Sequence, residues 1–373
     1  RGIVARVQIL SQLERNADAL ALLDKSFGTE SEPMLDSLRS RLKAGEPLPF
    51  DIVPDAKAGM AEAFFTIGTL LQGESDPAYV LLHSRVANLL DPANAEALLL
   101  TAQALEDLQQ HDLAVETYAR FPKESPVFYT AEIGRSDALY AAGKKEAAVE
   151  VLQALARSHP GLVVVQSSLA DILRREDRCA DAVPAYDAAL ALVPKVDRVH
   201  WTLFFSRAIC HERLKDWGKA EADFRRALEL NPGQPQVLNY LGYSLVDRGL
   251  KLDEALSLIE QAVKAEPEAG YIIDSLAWAY FRLGRYQDAL APMEKASLLE
   301  PVDPVVTDHL GDVYWMVGRK REAVFQWHRA LSFEPAEKDA ARIRRKIEVG
   351  LDQVMQEEAS GPVVPQDPAV DGN

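Results

Sequence analysis

The stretch 270-GYIIDSLAWAYFRLGRYQDALAPMEKASLLEP-301 divides itself into two helices and a turn. Ile273, Leu276, Ala277 and Tyr280 recur at helical spacing, Leu283-Gly284-Arg285-Tyr286 interrupts the pattern, and Ala289, Leu290, Met293 and Ala296 carry a second amphipathic helix. Pro301 ends it, because a ring that lacks an N–H and clashes with the preceding turn cannot continue an α-helix. Alanine on both helices lets two antiparallel backbones approach closely while larger neighbours fill the grooves around them.

Pro301 belongs to a series. Pro92, Pro126, Pro160, Pro194, Pro232, Pro267, Pro301 and Pro335 are separated by 34, 34, 34, 38, 35, 34 and 34 residues. Twelve positions before each stands Val80, Ala114, Ala148, Ala182, Ala220, Ala255, Ala289 or Ala323. Five before each stands Ala87, Phe121, Leu155, Ala189, Ala227, Ala262, Ala296 or Ala330. Markers that move together at one period mean internal repetition, so the 373 residues read as a repeat count and not as two or three compact domains.

The unit ending at Pro335 carries Leu310-Gly311, Tyr314, Ala323, Trp327 and Ala330, and the unit ending at Pro267 carries Leu241-Gly242, Leu245, Ala255, Ile259 and Ala262. In these residues the chain resembles the tetratricopeptide repeat (TPR) family, whose pattern runs W-x2-L-G-x2-Y, then A-x3-F, then P over about 34 residues. Other units depart from it: Arg207-Ala208 and Arg135-Ser136 stand where the leucine-glycine pair is expected. The resemblance covers residues 58–335 and implies an all-α fold: a right-handed α-solenoid of about eight to nine TPR helix pairs with a C-terminal capping helix.

The ends read differently. Val7, Leu10 and Leu13, then Ala19, Leu20, Leu22 and Leu23 after Asn16, predict a degenerate helical pair over 1–27. Residues 28–57 predict an irregular joint, with a short helix over Pro33 to Leu42 and a non-helical Gly45-Glu46-Pro47-Leu48-Pro49. Ile343, Ile347, Leu351 and Val354 form one apolar stripe over 336–358, the pattern of a capping helix, and residues 359–373 predict a disordered tail. The 38-residue interval predicts about four extra residues near Lys195-Val196-Asp197-Arg198, a loop insertion in preference to a hinge. The chain opens at Arg1 inside a helical pattern, which predicts a processing site or further residues upstream.

With 48% hydrophobic and 26% charged residues the chain has the material of a folded protein, and a net charge of −16 argues against nucleic acid or an anionic membrane surface as the principal partner. No apolar run reaches the ~20 residues that span a bilayer. Two cysteines, Cys179 and Cys210, offer no disulfide framework and are read as two free, buried or half-buried thiols. There is no HExxH, GxGxxG, GxxxxGK[ST] or GxSxG, and Gly143-Lys144-Lys145 is a repeat turn without the upstream glycine of a phosphate loop. His83, His111, His159, His200, His211, His309 and His328 are scattered, with no pair at ligand spacing. No cofactor, metal or catalytic activity is expected.

A helical-pair array offers instead a long concave surface lined by its first helices. Helical phase assigns to that surface Asn239, Tyr243, Val246 and Asp247, then Asp274, Trp278, Phe281 and Arg282, then Asp308, Asp312, Trp315 and Met316. Aromatic anchors beside carboxylates, on a face with no packing partner of its own, predict a groove for a protein or peptide partner of basic or apolar character; the competing reading is packing within the array. Family members that clamp the carboxylate tails of chaperones use Lys and Asn on these faces. Here the matching places carry Asn239, Tyr243, Ser275 and Val305, so the resemblance implies no such clamp.

The runs Leu238-Asn239-Tyr240-Leu241-Gly242-Tyr243-Ser244, Gly270-Tyr271-Ile272-Ile273-Asp274-Ser275-Leu276-Ala277-Trp278 and Asp308-His309-Leu310-Gly311-Asp312-Val313-Tyr314-Trp315 are similar to those of bacterial envelope TPR proteins. Some of these are outer-membrane lipoproteins that deliver substrates, such as peptidoglycan hydrolases, to processing proteases. That resemblance implies a non-catalytic adaptor, periplasmic or outer-membrane-associated in a Gram-negative bacterium and tethered by an upstream lipid anchor, with a cytoplasmic setting as the alternative. Two other expectations stand beside it: the TPR portion of a larger enzyme such as a glycosyltransferase, and an assembly factor for envelope polysaccharide or pilus export.

Overall fold

Every element of the computed structural model, which describes residues 2–28, 33–51 and 53–360, is helical. The helices fall into two units, Arg1–Glu176 and Asp177–Asn373.

The first unit holds α1 (Gly2–Gln12), α2 (Asn16–Phe27), α3 (Pro33–Lys43), α4 (Ala56–Leu71), α5 (Pro77–Leu90), α6 (Ala95–Asp107), α7 (His111–Tyr118), α8 (Phe128–Ala141), α9 (Lys145–Ser158) and α10 (Val163–Arg175). Helices α1 to α3 share a core of their own: Val7, Ala19, Leu23, Leu35, Leu42 and Leu48. The expected helical pair therefore gains a third helix. The segment after it is non-helical yet pinned: the Leu48 N–H donates to Ser11 Oγ at 2.9 Å, and Gln8 Nε2 donates to Asp51 at 2.7 Å. Later in this unit α4 pairs with α5, α6 with α7 and α8 with α9, each antiparallel to its partner. Asp55 and Asn94 start α4 and α6 by accepting from the third residue inside each helix, which satisfies a backbone donor that no carbonyl can reach.

The second unit holds α11 (Cys179–Ala191), α12 (Trp201–Arg213), α13 (Trp217–Leu230), α14 (Pro235–Asp247), α15 (Leu252–Ala265), α16 (Gly270–Arg282), α17 (Tyr286–Leu299), α18 (Pro304–Met316), α19 (Lys320–Leu331), α20 (Glu337–Val349) and α21 (Leu351–Ser360). Ala255, Ala262, Ala289, Ala296, Ala323 and Ala330, the period markers, are all fully buried. They let each pair close up on Ile259, Met293 or Trp327. At Gly242 the approach is close: a Cβ there would stand 2.6 Å from Ile259 Cγ1 and 3.0 Å from the Ala255 carbonyl, so no side chain fits without moving the neighbouring helix. Gly284 makes the α16–α17 turn at φ +72°, the left-handed region that other residues rarely occupy. The eight series prolines all lie beyond the ends of second helices, whereas Pro184 and Pro292 sit inside α11 and α17.

Three expectations are corrected here. Cys179 and Cys210 are not free thiols: they form a disulfide, with Cα atoms 4.9 Å apart, because the start of α11 lies against the second half of α12. The single capping helix is a pair, α20 and α21, broken at Gly350, whose φ of +85° no helix accepts. Residues Ala359 and Ser360 belong to α21, and the remainder of the expected tail, 361–373, lies outside the described residues. The insertion before α12 is an ordered loop: Asp197 accepts from the Val199 N–H and its own N–H donates to His200 Nδ1, capping a short 3-10 turn over Arg198–His200 that leads into α12.

Candidate functional site

The first helices of the last repeats present the same two positions, one helical turn apart, at each period: Asn239 and Tyr243 on α14, Asp274 and Trp278 on α16, Asp308 and Asp312 on α18, Arg342 and Lys346 on α20. An i, i+4 spacing puts both on one face.

On α18 and α20 that face is used internally. Lys346, 0% exposed, sets its Nζ 2.7–2.8 Å from both carboxylate oxygens of Asp308 and of Asp312. Asp312, also 0% exposed, accepts a further bond from Trp327 Nε1 at 2.9 Å, and Arg342 reaches it at 3.5 Å while binding Glu358 on α21. Burial and the adjacent Asp312 carboxylate raise the Asp308 pKa, with Lys346 opposing them. Trp315 is half-buried: it donates from Nε1 to Asp352 on α21 at 2.9 Å and lies beside Trp327. The face expected to lack a packing partner is thus covered at this level by the C-terminal helix pair.

One repeat earlier, Asp274 accepts from His309 Nδ1 at 3.0 Å. The His309 ring stacks on Trp278 at 3.9 Å between centroids, and Trp278 stacks in turn on Phe281 at 4.7 Å. Burial disfavours the imidazolium, but the attraction of Asp274, backed by Asp308 and Asp312, outweighs it and holds the His309 pKa above its usual value. Asp274, Trp278 and Phe281 are all buried.

What remains open is the ground between α14 and these helices. Tyr243, Pro304, Val305, Asp308, His309, Asp339 and Arg342 are among the residues around a cavity of about 260 Å³ on the inner face. The Tyr243 phenol is half-buried, and burial, then Asp274 and Asp247, push its pKa up to about 12. It therefore stays a hydrogen-bond donor at any physiological pH. One turn before it, Asn239 is buried and its Oδ1 has no hydrogen-bond partner among the described residues. Arg282 is exposed and meets Asp247 twice, at its carboxylate at 3.4 Å and at its main-chain carbonyl at 3.1 Å.

Of the twelve residues read from phase, Tyr243 and Asp308 line the cavity, Asn239 lies one turn from Tyr243, Asp247 and Arg282 are at the surface, Met316 is half-buried and Val246 is buried. Asp274, Trp278, Phe281, Asp312 and Trp315 are engaged within the chain. The residues that sequence reasoning missed are Lys346, Arg342 and His309. The period itself carried the signal, since Lys346 follows Asp312 by 34 residues and is its counterpart in a further first helix.

A sequence model of the tetratricopeptide repeat matches residues 82–127, 99–163, 168–235 and 241–298, together more than half of the chain. The chain belongs to the tetratricopeptide repeat family. Over 163 residues this TPR chain is 31% identical to a TPR repeat-containing protein of Pseudomonas aeruginosa, a match to 43% of this chain and 27% of that one. Over 120 residues it is 31% identical to the E3 ubiquitin-protein ligase CHIP of Arabidopsis thaliana, covering 31% and 40%. The match thus spans less than half the length of either relative. Among solved structures, a TPR protein from Parabacteroides merdae superposes with a TM-score of 0.50 at 16% identity, covering 78% of this chain and 98% of that one. The APC/C hetero-tetramer Cut9–Hcn1 superposes with a TM-score of 0.56 at 16% identity, covering 93% and 75%. Both show the solenoid fold. TPR proteins are scaffolds that bind peptides or protein partners, and no helix among the described residues is long and apolar enough to cross a membrane.

Proposed function

We propose that this TPR chain is a non-catalytic adaptor that takes a peptide segment of a protein partner on the inner face of its second unit, at the cavity beside Tyr243. The observation that carries this reading is the buried Asn239 Oδ1 with no partner, one turn from a phenol that cannot ionise at physiological pH. An unpaired buried acceptor costs free energy unless a ligand donor meets it, and a backbone N–H together with a carbonyl for the Tyr243 hydroxyl would satisfy both. Asp308 at the cavity, with exposed Arg282 and Asp247 near enough to act on the Tyr243 phenol, would select the charge of neighbouring side chains. We place the adaptor in the periplasm or at the outer membrane of a Gram-negative bacterium, bringing substrates to a protease or organising cell-wall enzymes. The sequence likeness to a Pseudomonas aeruginosa TPR protein and the Cys179–Cys210 disulfide support that setting.

The test is recovery of partners from an envelope fraction by the tagged chain, compared with the variant Tyr243→Ala plus Arg282→Ala. A control variant, Phe325→Ala, alters an exposed residue of α19 away from the cavity. A specific loss of at least about tenfold, ~1.4 kcal/mol, in the cavity variant alone is expected. Equal recovery by all three proteins would sink the cavity assignment.

A further inference from the structure

In the second unit, the first residue of each later second helix is larger than the cysteine that begins α11: Trp217 in α13, Leu252 in α15, Tyr286 in α17 and Lys320 in α19. Trp217 and Tyr286 pack against the unit's apolar core, Trp217 under the Arg248 guanidinium at 4.7 Å and Tyr286 edge-on to Phe281 at 5.2 Å. At Cys179 that volume is missing, and a covalent bond to Cys210 of the next first helix stands in its place.

The connection at this joint is also different. The helix pairs α13–α14, α15–α16 and α17–α18 are joined by residues 231–234, 266–269 and 300–303, whereas α11 and α12 are joined by the much longer 192–200. Closing a longer connector costs somewhat more chain entropy than closing a four-residue one, a disadvantage that a covalent bond across the joint offsets. Both cysteines are buried, Cys179 at 2% and Cys210 at 0% exposure, so a reductant reaches the sulfurs only when α11 and α12 separate.

We propose that the Cys179–Cys210 disulfide is a redox-dependent lock on the α11–α12 joint: oxidised, it holds the two helices together, and reduced, this joint is the first part of the second unit to open. The lock is set by thiol–disulfide exchange with a protein or small-molecule disulfide as oxidant. One cysteine thiolate attacks the oxidant to give a mixed disulfide; the second displaces it, the Cys179–Cys210 bond forms, and the oxidant leaves as two thiols, having taken up two electrons and two protons. Burial then protects the bond from exchange in the folded chain. The proposal is independent of the peptide-binding reading, since it concerns a different face and needs no partner.

The experiment uses the full chain, exported to an oxidising compartment in one preparation and made in a reducing cytoplasm in another. Each is denatured and alkylated with and without prior reduction, and the adducts are counted by mass. For the exported protein, no adduct without reduction and two after it are expected. Reduction should lower its thermal midpoint by roughly 7–15 °C, the entropic effect of releasing a loop of this size in a unit of this length. Hydrogen exchange on the reduced protein should rise first in α11 and α12. Cys179→Ala plus Cys210→Ala should behave as the reduced chain does; should that variant fail to fold, the adduct count and the reduced wild type still decide. Two adducts on the exported protein without reduction would overturn the proposal, as would an unchanged midpoint or exchange that rises first elsewhere.

Discussion

Within the second unit, the joint at α11–α12 and the joint at α18–α20 solve one problem by opposite means. The repeat brings each first helix against its predecessors in the same geometry, but the alanines and glycines of the pattern determine contact inside a pair, not what fills the space between pairs. At the first joint two small side chains are bonded covalently. At the second an ammonium group lies between two carboxylates, with Trp327 Nε1 and Arg342 around them. The covalent joint ties α11 to α12 and also limits the unfolded chain, and it holds no titratable group. The ionic joint acts in the folded state, where it must offset the desolvation of three charges, and it responds to protonation. One array can therefore carry joints that answer to different stimuli.

The sharpest way to break this contrast is Lys346→Met. It leaves Asp308 and Asp312 facing each other with only the more distant Arg342, at 3.5–4.0 Å, and a buried pair broken in this way costs about 3–5 kcal/mol. Urea unfolding followed by tryptophan fluorescence measures it. Adding Asp308→Asn should recover part of the loss, because Asp312 keeps Trp327 and Arg342. Wild-type stability in Lys346→Met would mean that apolar packing alone holds α20.

Proton dependence sharpens the contrast next. His309 has a raised pKa in the folded chain, so its contribution is complete below the usual histidine range and is lost as pH rises through the raised value. Asp308, a carboxyl with a raised pKa, has the same sign in a more acidic window: the folded state holds the proton longer, so stability falls as pH climbs past the usual carboxylate range. The thermal midpoint of the wild type should therefore drop as pH rises above the usual histidine range, and His309→Gln should remove that drop. A parallel fall in both proteins would place the titration elsewhere.

The smallest effect is expected at the surface. Arg282 meets the Asp247 carboxylate at 3.4 Å and its carbonyl at 3.1 Å in the open, so Arg282→Ala should cost less than about 1 kcal/mol in the same unfolding assay. A larger loss would show that this surface is part of the core.

Much of the fold was legible because the markers are backbone-driven. A proline can end a helix in any tertiary setting, and an alanine or glycine at a close approach tolerates nothing larger, as Gly242 against Ile259 shows. Even so, Pro184 and Pro292 show that a proline is not always a boundary. The site was less legible. Helical phase put Asp308, Asp312 and Trp278 on the inner face, but phase describes one helix at a time and is silent about a neighbour arriving 34 residues later. His309 looked isolated in sequence and is held between Asp274 and Trp278 in space.

From its sequence alone this protein was determined to be an all-helical array of TPR pairs, with its period, its turns and its small-residue contacts, since each follows from interactions within about one repeat length. Only the tertiary structure decided that Cys179 meets Cys210, that Lys346 occupies the acids of α18, and that the open polar ground lies beside Tyr243. Those outcomes depend on the angle at which one pair packs on the next, a quantity set by many side chains at once and carried by no local pattern.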